Sequence, residues 1–232
     1  MEQLGKTIAI AKSGLADAGF NMAFVLEKPD SLTERLSQAI RRVFVRSNTP
    51  WELITTPQIS PDLNRVIEEF QLVKRAVEPG MLLENIPDFL PSPPPGFEVR
   101  QVSQREEIQT FLKVGMLGFG NPSGNILQPL ADGLTDNKSS FRGGCYLGYV
   151  NELPVATSIR VSVGQVAEIY FVATLPEFRK RGYGEAMTRR AVWDGKKNDG
   201  CTCALLEASE MGRPIYEKMG FEKIIDYEIW KS

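Results

Sequence analysis

The sequence predicts an α/β (α+β) fold with a mixed sheet, preceded by a smaller α/β segment. From Phe141 onward, apolar and polar residues alternate through three consecutive segments, which is typical of an antiparallel meander. A helical pattern and another apolar strand follow, and this strand-helix-strand step indicates one parallel pair in an otherwise antiparallel sheet. A proline-rich stretch at residues 87–96 separates this part from the first 86 residues.

Composition excludes several classes of function. The chain has 232 residues, 42% hydrophobic and 24% charged, which is enough for one large or two small domains. Because it contains no histidine, Ser-His-Asp and Cys-His triads and HExxH zinc sites are excluded. A net charge of −2 argues against a nucleic-acid partner.

The cysteine spacing and the hydropathy pattern indicate in which cellular compartment the protein is expected. The three cysteines lack disulfide or zinc spacing, so we expect no metal site and a reducing compartment. Cys201 and Cys203 are expected to share one strand face as ordinary buried thiols. Without a stretch of about 20 apolar residues, no membrane partner is expected, and the prediction is a cytoplasmic protein.

The first segment, residues 1–86, has its own pattern of elements. Ser31-Leu32-Thr33-Glu34 is a capping box that opens a helix, and Ser60-Pro61 opens another with apolar positions extending to Val73. Strands are predicted at 51–55 and 81–84. This helix-strand-helix-strand order repeats that of residues 182–230, which indicates a degenerate half-repeat by order alone.

Residues 87–96 contain five prolines and are predicted to be a linker to the domain at 97–232. That domain begins with a strand at 97–102 and a helix with an acidic first turn. A glycine-rich loop at 118–124 and a short helix at 128–134 follow. Phe119, in the loop, is expected either to border an acceptor pocket or to lie on the surface.

The meander and the elements after it complete the domain. The first strand of the meander ends near Tyr149, and the other two are predicted at 155–163 and 166–174. Turns are predicted at Asn151-Glu152 and Gly164-Gln165. A helix over 182–196, a strand over 203–208, a short helix around Tyr216 and a last strand over 222–230 follow.

The turn after the third meander strand is the most informative segment. It reads Arg179-x-x-Gly182-x-Gly184 and runs into a helix, with Lys180 and Arg181 completing a basic trio. Small residues at a helix N-terminus allow backbone N–H groups to bind an anion such as a pyrophosphate. The alternative is a glycine turn with a solvated basic cluster, while Rossmann and Walker A patterns do not fit.

Two linked motifs resemble the GNAT superfamily of N-acetyltransferases. The first is Pro176-Glu177-Phe178-Arg179-Lys180-Arg181-Gly182-Tyr183-Gly184, and the second is Ile215-Tyr216-Glu217-Lys218-Met219-Gly220-Phe221. The resemblance covers residues 97–230 and leaves the first 90 or so unexplained. It implies a centrally splayed sheet and acetyl-CoA as co-substrate.

The resemblance also implies site residues. Backbone groups of Val172, Ala173 and Thr174 would hold the pantetheine arm and the acetyl carbonyl. The turn would bind the pyrophosphate through Arg179, Lys180, Arg181, Gly182, Tyr183, Gly184 and Glu185. Tyr216 matches the general acid of the family, although a core tyrosine is the alternative.

A base is required because a primary amine with a pKa of about 10.4 is mostly protonated at neutral pH. Glu168 is the candidate, since it lies in the strand leading to the acetyl site, on the predicted face of Tyr170 and Val172. The alternative is an edge glutamate that faces solvent or an ion pair.

The predicted reaction is acetyl transfer from acetyl-CoA to a primary amine of a small molecule or peptide, by direct attack in a ternary complex. The alternative is a non-catalytic acyl-CoA sensor or interaction module, and a nucleotide-binding protein is a third class, distinguished by stabilisation with ATP or NAD. The sequence is compatible with a homodimer and does not identify the amine.

Overall fold

The chain divides by packing into two units, residues 1–80 with 223–232 and residues 81–222. The computed structural model describes residues 2–4, 8–13, 15, 17–26, 33–120, 131–132, 134–135 and 142–231. The predicted capping box at 31–34, the loop beyond Gly120 and the short helix at 128–134 therefore lie wholly or partly outside the described residues.

The first unit contains a mixed sheet with two helices. In chain order its elements are β1 (Glu2–Leu4), β2 (Ile8–Lys12), β3 (Asn21–Val25), α1 (Thr33–Val43), β4 (Glu52–Thr55), α2 (Asn64–Glu69) and the first part of β5 (Val73–Leu83). The last strand of the chain, β11 (Glu222–Lys231), lies between β4 and β5. Strands β1, β2 and β3 are antiparallel, β3 and β4 are parallel, and β11 is antiparallel to β4.

Apolar periodicity explains the core of this unit. Leu36, Ala39 and Ile40 of α1 are fully buried as the periodicity predicts, and they pack with Leu53 of β4 and the ring of Trp51. Trp51 stacks on Phe44 at 5.5 Å between ring centroids.

The structure corrects one prediction for this unit, extends another and adds strands that the sequence pattern did not indicate. The helix that opens at Ser60 is a 3-10 turn followed by α2, which ends at Glu69, so Val73 is a strand residue with 70% exposure. The strand expected at 81–84 is the end of the much longer β5. Strands β2 and β3, each of five residues, were not predicted.

The second unit contains the elements that follow the proline-rich stretch. They are β6 (Phe97–Val102), α3 (Arg105–Gly118), β7 (Gly143–Val150), β8 (Leu153–Val163), β9 (Val166–Thr174), α4 (Tyr183–Asp199), β10 (Cys203–Glu207) and α5 (Arg213–Lys218). Their strand order, starting from the end of β5, is β5-β10-β9-β8-β7-β6. The meander β7-β8-β9 is antiparallel and β10 is parallel to β9, as the sequence predicts.

Helices cover the two faces of this sheet. On one face, α3 packs Phe111 and Leu112 against Cys145 and Leu147 of β7. On the other face, α4 packs Met187 and its neighbours against the sheet, and Tyr183 stacks on Phe97 at 4.2 Å. The second unit is therefore a three-layer arrangement with strand β9 in its interior.

The sheet is splayed beside β9. The parallel register of β10 and β9 ends at Leu206 opposite Ile169, whereas β9 continues to Thr174 along β8. Between Tyr170 and Ala173 the antiparallel register shifts by a β-bulge, and Phe171 has a left-handed φ of 54°. The predicted central splay is confirmed, and it begins at the residue after Ile169.

The first unit repeats the element order of the second. In both, an antiparallel pair (β2-β3 or β8-β9) leads through a helix to a strand parallel to the second member, and a short helix and a strand follow. This order agrees with the predicted half-repeat. The packing division differs from the predicted domains 1–86 and 97–232, because β11 pairs with β4 and so joins residues 223–232 to the first unit.

Within the described part of the chain, no helix is long and apolar enough to cross a membrane.

Candidate active site at the splayed strand

The turn between β9 and α4 presents a helix N-terminus beside the splay. A short 3-10 turn covers Pro176–Phe178, and Lys180 and Gly182 follow with left-handed φ angles of 62° and 80°. Gly182 is the N-cap of α4, which is 17 residues long and has no side-chain cap at this end. The first backbone N–H groups of α4 therefore lack a capping side chain and favour an anion.

The two glycines of the turn have different roles. Gly182 is required by its positive φ, and a Cβ there would also lie 3.3 Å from Pro94 Cγ. Gly184 has ordinary helical geometry, and a Cβ there would meet only Thr174 Oγ1, at 3.8 Å. Since the protein itself leaves room for a side chain at residue 184, the glycine leaves space for a group outside the chain.

Two of the three basic residues of the turn bind main-chain carbonyl oxygens, and the third is exposed. Arg179 donates to the carbonyl oxygens of Thr174 at 3.2 Å and of Gly118 at 2.6 Å, so it ties the turn to the end of α3. Arg181 donates to the Glu177 carbonyl and lies over the Phe178 ring. These contacts leave the exposed Lys180 as the member of the trio best placed to meet a phosphate group.

Glu185 is engaged by cations of α4 and α5. Its carboxylate pairs with Arg189 at 2.9 Å and lies 3.6 Å from the Lys218 ammonium. Its backbone N–H, with those of Tyr183 and Gly184, belongs to the first turn of α4. Thus the side chain is structural, while the main chain remains part of the anion site.

The bulge on β9 separates residues that the sequence placed on one face. Val172 packs with the apolar side chains on the α4 side of the sheet, whereas Phe171 packs with those on the α3 side. Tyr170 lies opposite Ile159, which also packs on the α3 side. The prediction that Val172 shares the face of Glu168 and Tyr170 was therefore wrong, because the bulge changes the alternation.

Glu168 and Tyr170 form a hydrogen-bonded pair on the α3 side of the sheet. Glu168 lies opposite Leu205, in the last part of the parallel register, and Tyr170 is the first residue beyond that register. The Tyr170 hydroxyl donates to Glu168 Oε2 at 2.6 Å. Glu168 is half-buried, so this carboxylate lies at the start of the splay with access to solvent.

Tyr216 is buried against the first turns of α4. Its ring lies 6.0 Å from that of Phe221, and its hydroxyl lies near Thr188, which donates to the Gly184 carbonyl at 3.0 Å. Burial raises the pKa of Tyr216, and the hydrogen bond with Thr188 offsets part of this increase. The phenol therefore stays protonated at neutral pH and is linked to the glycine turn through one residue.

Sequence reasoning missed the glycines of α3. A Cβ on Gly115 would overlap the Phe171 ring, and a Cβ on Gly118 would lie 2.8 Å from the Ala173 Cβ. These glycines allow α3 to approach the bulged end of β9 closely. The sequence feature that could have indicated this close packing is Gly115, a glycine inside an otherwise helical pattern.

Aromatic rings line this approach. Phe171 lies between Phe111 and Phe119, at centroid distances of 5.3 and 5.2 Å. Phe119 is 54% exposed and follows the last residue of α3. The structure thus brings Phe119 next to β9, although whether it borders an acceptor pocket stays a prediction.

No metal site is formed by the described residues, where no group of three or more acidic, cysteine or histidine ligands occurs. Cys145 is buried, and burial raises its pKa to about 12. Cys201 is buried but lies before the first residue of β10. The prediction that Cys201 and Cys203 share one face of a strand was therefore wrong.

A groove of about 590 Å³ lies beside α4, apart from the splay. The proline-rich residues 90–95 form one wall, and Gly182, Ala186 and Arg190 form the other. The segment predicted as a linker is therefore packed against the helix that begins at the glycine turn.

The fold, the splay and the glycine turn define a class of protein. Residues 98–224, more than half of the chain, match the family model described as "Acetyltransferase (GNAT) domain". The chain belongs to this family. A comparison with curated proteins gave no significant match.

Solved structures show the same fold. A GCN5-related N-acetyltransferase from Kribbella flavida is 20% identical over 94% of this chain and 83% of that chain, with a TM-score of 0.70. One from Sphaerobacter thermophilus is 15% identical over 91% and 72%, with a TM-score of 0.66. A tandem GNAT protein from the clavulanic acid biosynthesis pathway is 10% identical over 91% and 74%, with a TM-score of 0.63.

Proposed function

We propose that this acyltransferase moves an acetyl group from acetyl-CoA to a primary amine of a small molecule or peptide. The observation that carries the proposal is the uncapped start of α4 beside the splay, with open space at Gly184. Backbone N–H groups of residues 180–185 would bind the pyrophosphate, with Lys180 as the nearby cation. Main-chain groups of Val172, Ala173 and Thr174 would hold the pantetheine arm and the acetyl carbonyl.

The chain supplies a base for the proton of the amine and an acid for the departing thiolate. Glu168, or a water that it orients, would take the proton of the attacking amine. Tyr216 would donate its phenolic proton to the departing thiolate as the carbon–sulfur bond breaks. The amine attacks the acetyl carbonyl directly, so no group on the protein becomes acetylated.

Binding at the turn is tested by Gly184→Glu. The added carboxylate would occupy the open space and repel phosphate, so calorimetry should show at least about a 100-fold loss of acetyl-CoA affinity. Lys113→Glu, which adds a negative charge at an exposed position of α3, is the matched control and should bind normally. Normal affinity in Gly184→Glu would show that the pyrophosphate lies elsewhere.

Turnover distinguishes an enzyme from an acyl-CoA sensor. Release of free CoA thiol should be measured with a panel of primary amines and peptides. Acetyl-CoA binding without turnover across that panel would favour the sensor, and stabilisation by ATP or NAD instead of acetyl-CoA would favour a nucleotide-binding protein. CoA release that depends on one amine class supports the acetyltransferase.

A further inference from the structure

Tyr170 is a large side chain whose exposure the core does not explain. It is 45% exposed, and it stands on β9 at the first position beyond the parallel register. Residues two apart on a strand share a face, so long side chains at 168 and 170 can meet. A tyrosine here therefore brings its hydroxyl group to the Glu168 carboxylate.

The hydrogen bond that Tyr170 makes has a fixed direction. An ionised carboxylate can only accept, so the phenol donates its proton to Glu168 Oε2. The separation of 2.6 Å is in the range of charge-assisted O–H···O⁻ bonds. This donor would hold the carboxylate in one orientation through one of its oxygens.

The other carboxylate oxygen has no partner among the described residues. Among the described residues, no side chain donates to Glu168 Oε1, and no lysine or arginine forms an ion pair with this carboxylate. One oxygen is thus held by the protein, and the other can face an incoming amine or a water. An ion pair, which would compete with the amine for the carboxylate, is absent from the part of the chain that the structure describes.

The backbone beside this pair is restrained. The bulge follows Tyr170 directly, and the Thr157 hydroxyl donates to the Phe171 carbonyl at 2.9 Å. The Phe171 ring packs between the α3 aromatics and excludes any side chain at Gly115. Because β9 cannot easily move here, the Tyr170 hydroxyl has a defined position relative to Glu168.

We propose that Tyr170 is a positioning residue that holds the Glu168 carboxylate through Oε2 and leaves Oε1 to receive the proton of the acceptor amine. The proposal rests on the proposed function, in which Glu168 is the base. Tyr170 itself exchanges no proton with substrate, since its hydroxyl donates to the carboxylate throughout.

The test compares Tyr170→Phe, Glu168→Gln and the double variant. Loss of a hydrogen bond to a charged group should lower kcat with the best amine by about 10- to 100-fold. The acetyl-CoA dissociation constant and the KM for the amine should change little, so the loss should fall on kcat. In the Glu168→Gln background, Tyr170→Phe should have no further effect, because the pair acts as a unit.

Tyr149→Phe is the matched control, since Tyr149 is a half-buried tyrosine of β7 that packs on the same side of the sheet. It should keep the wild-type kcat and KM. An unchanged kcat in Tyr170→Phe, or an equal loss in both backgrounds, would overturn the positioning role.

The two proposals fail in different ways. If Glu168→Gln loses activity while Tyr170→Phe keeps wild-type kinetics, only the role of Tyr170 is wrong. If Glu168→Gln retains full turnover, or the wild type acetylates no amine, the proposed function is wrong at the base or as a whole, and the positioning role is wrong with it.

Discussion

Tyr216 connects the short helix α5 to the glycine turn. Its hydroxyl reaches Thr188, and Thr188 donates to the Gly184 carbonyl within the first turn of α4. Because α4 would hold the pyrophosphate at that turn, this contact fixes the phenol relative to the bound co-substrate. A core tyrosine would need only a hydrogen-bond partner, which Thr188 also provides, so kinetics must separate the two roles.

Tyr216→Phe is expected to lower kcat by about 100-fold or more, since a general acid contributes by about that factor. The acetyl-CoA dissociation constant should change little, because the ring remains in place. Stopped-flow or steady-state detection of CoA thiol measures the first, and calorimetry the second. Unchanged turnover in this variant would assign Tyr216 to the core alone.

At the scale of elements, close contact between α3 and β9 shapes the end of the strand. Gly115 and Gly118 allow the helix to lie against Phe171 and Ala173, and Arg179 bonds to the last carbonyl of the same helix. The bulge, the helix end and the glycine turn are thus held together by packing and two hydrogen bonds from one arginine.

Gly115→Ala should destabilise the protein by about 1–3 kcal/mol, because the added methyl group overlaps the Phe171 ring and forces it to move. Urea unfolding followed by circular dichroism measures the free energy. Gly184→Ala is the matched control, since its methyl group would meet only Thr174 Oγ1 and alanine favours a helix. Equal stability of Gly115→Ala and the wild type would contradict the packing described.

At the scale of the molecule, the second unit buries a polar network beneath α4. Arg160, 2% exposed, binds Tyr146, Ser162 and Asp199. Burial raises the pKa of Tyr146 to about 12, and the nearby Asp194 carboxylate acts in the same direction. Cys145 has its pKa raised to about 12 by burial alone.

These groups predict how stability depends on pH. Their folded-state pKa values exceed the ordinary values of 10.0 and 9.0, so their contribution is fully present below pH 9 and is lost as pH rises toward 12. The unfolding free energy should therefore fall above pH 9, with a shallower slope in Tyr146→Phe. Tyr170→Phe, which removes a partly exposed hydroxyl, should keep the wild-type slope, and identical slopes in all three proteins would contradict this origin.

How far the sequence predicts the structure depends on the range of the interactions. The meander, α4, the glycine turn and the order of elements follow from local periodicity and turn residues. Strands β2 and β3 were not predicted, and α2 stops at Glu69, before the left-handed Gln71, although the apolar period reaches Val73. The site was predicted as a set of residues, while its contacts, such as Arg179 with Gly118, join positions far apart in the chain.

By itself, the sequence determined the family, through two motifs with fixed spacing, and excluded histidine chemistry, through a composition with none. Only the tertiary structure decided which side chains meet. The bulge at Phe171 turned Val172 away from Glu168, and the partnership of β11 with β4 placed the end of the chain in the first unit. Motifs depend on residue types within a short segment, whereas register, bulges and strand partners depend on contacts between segments that are distant in sequence.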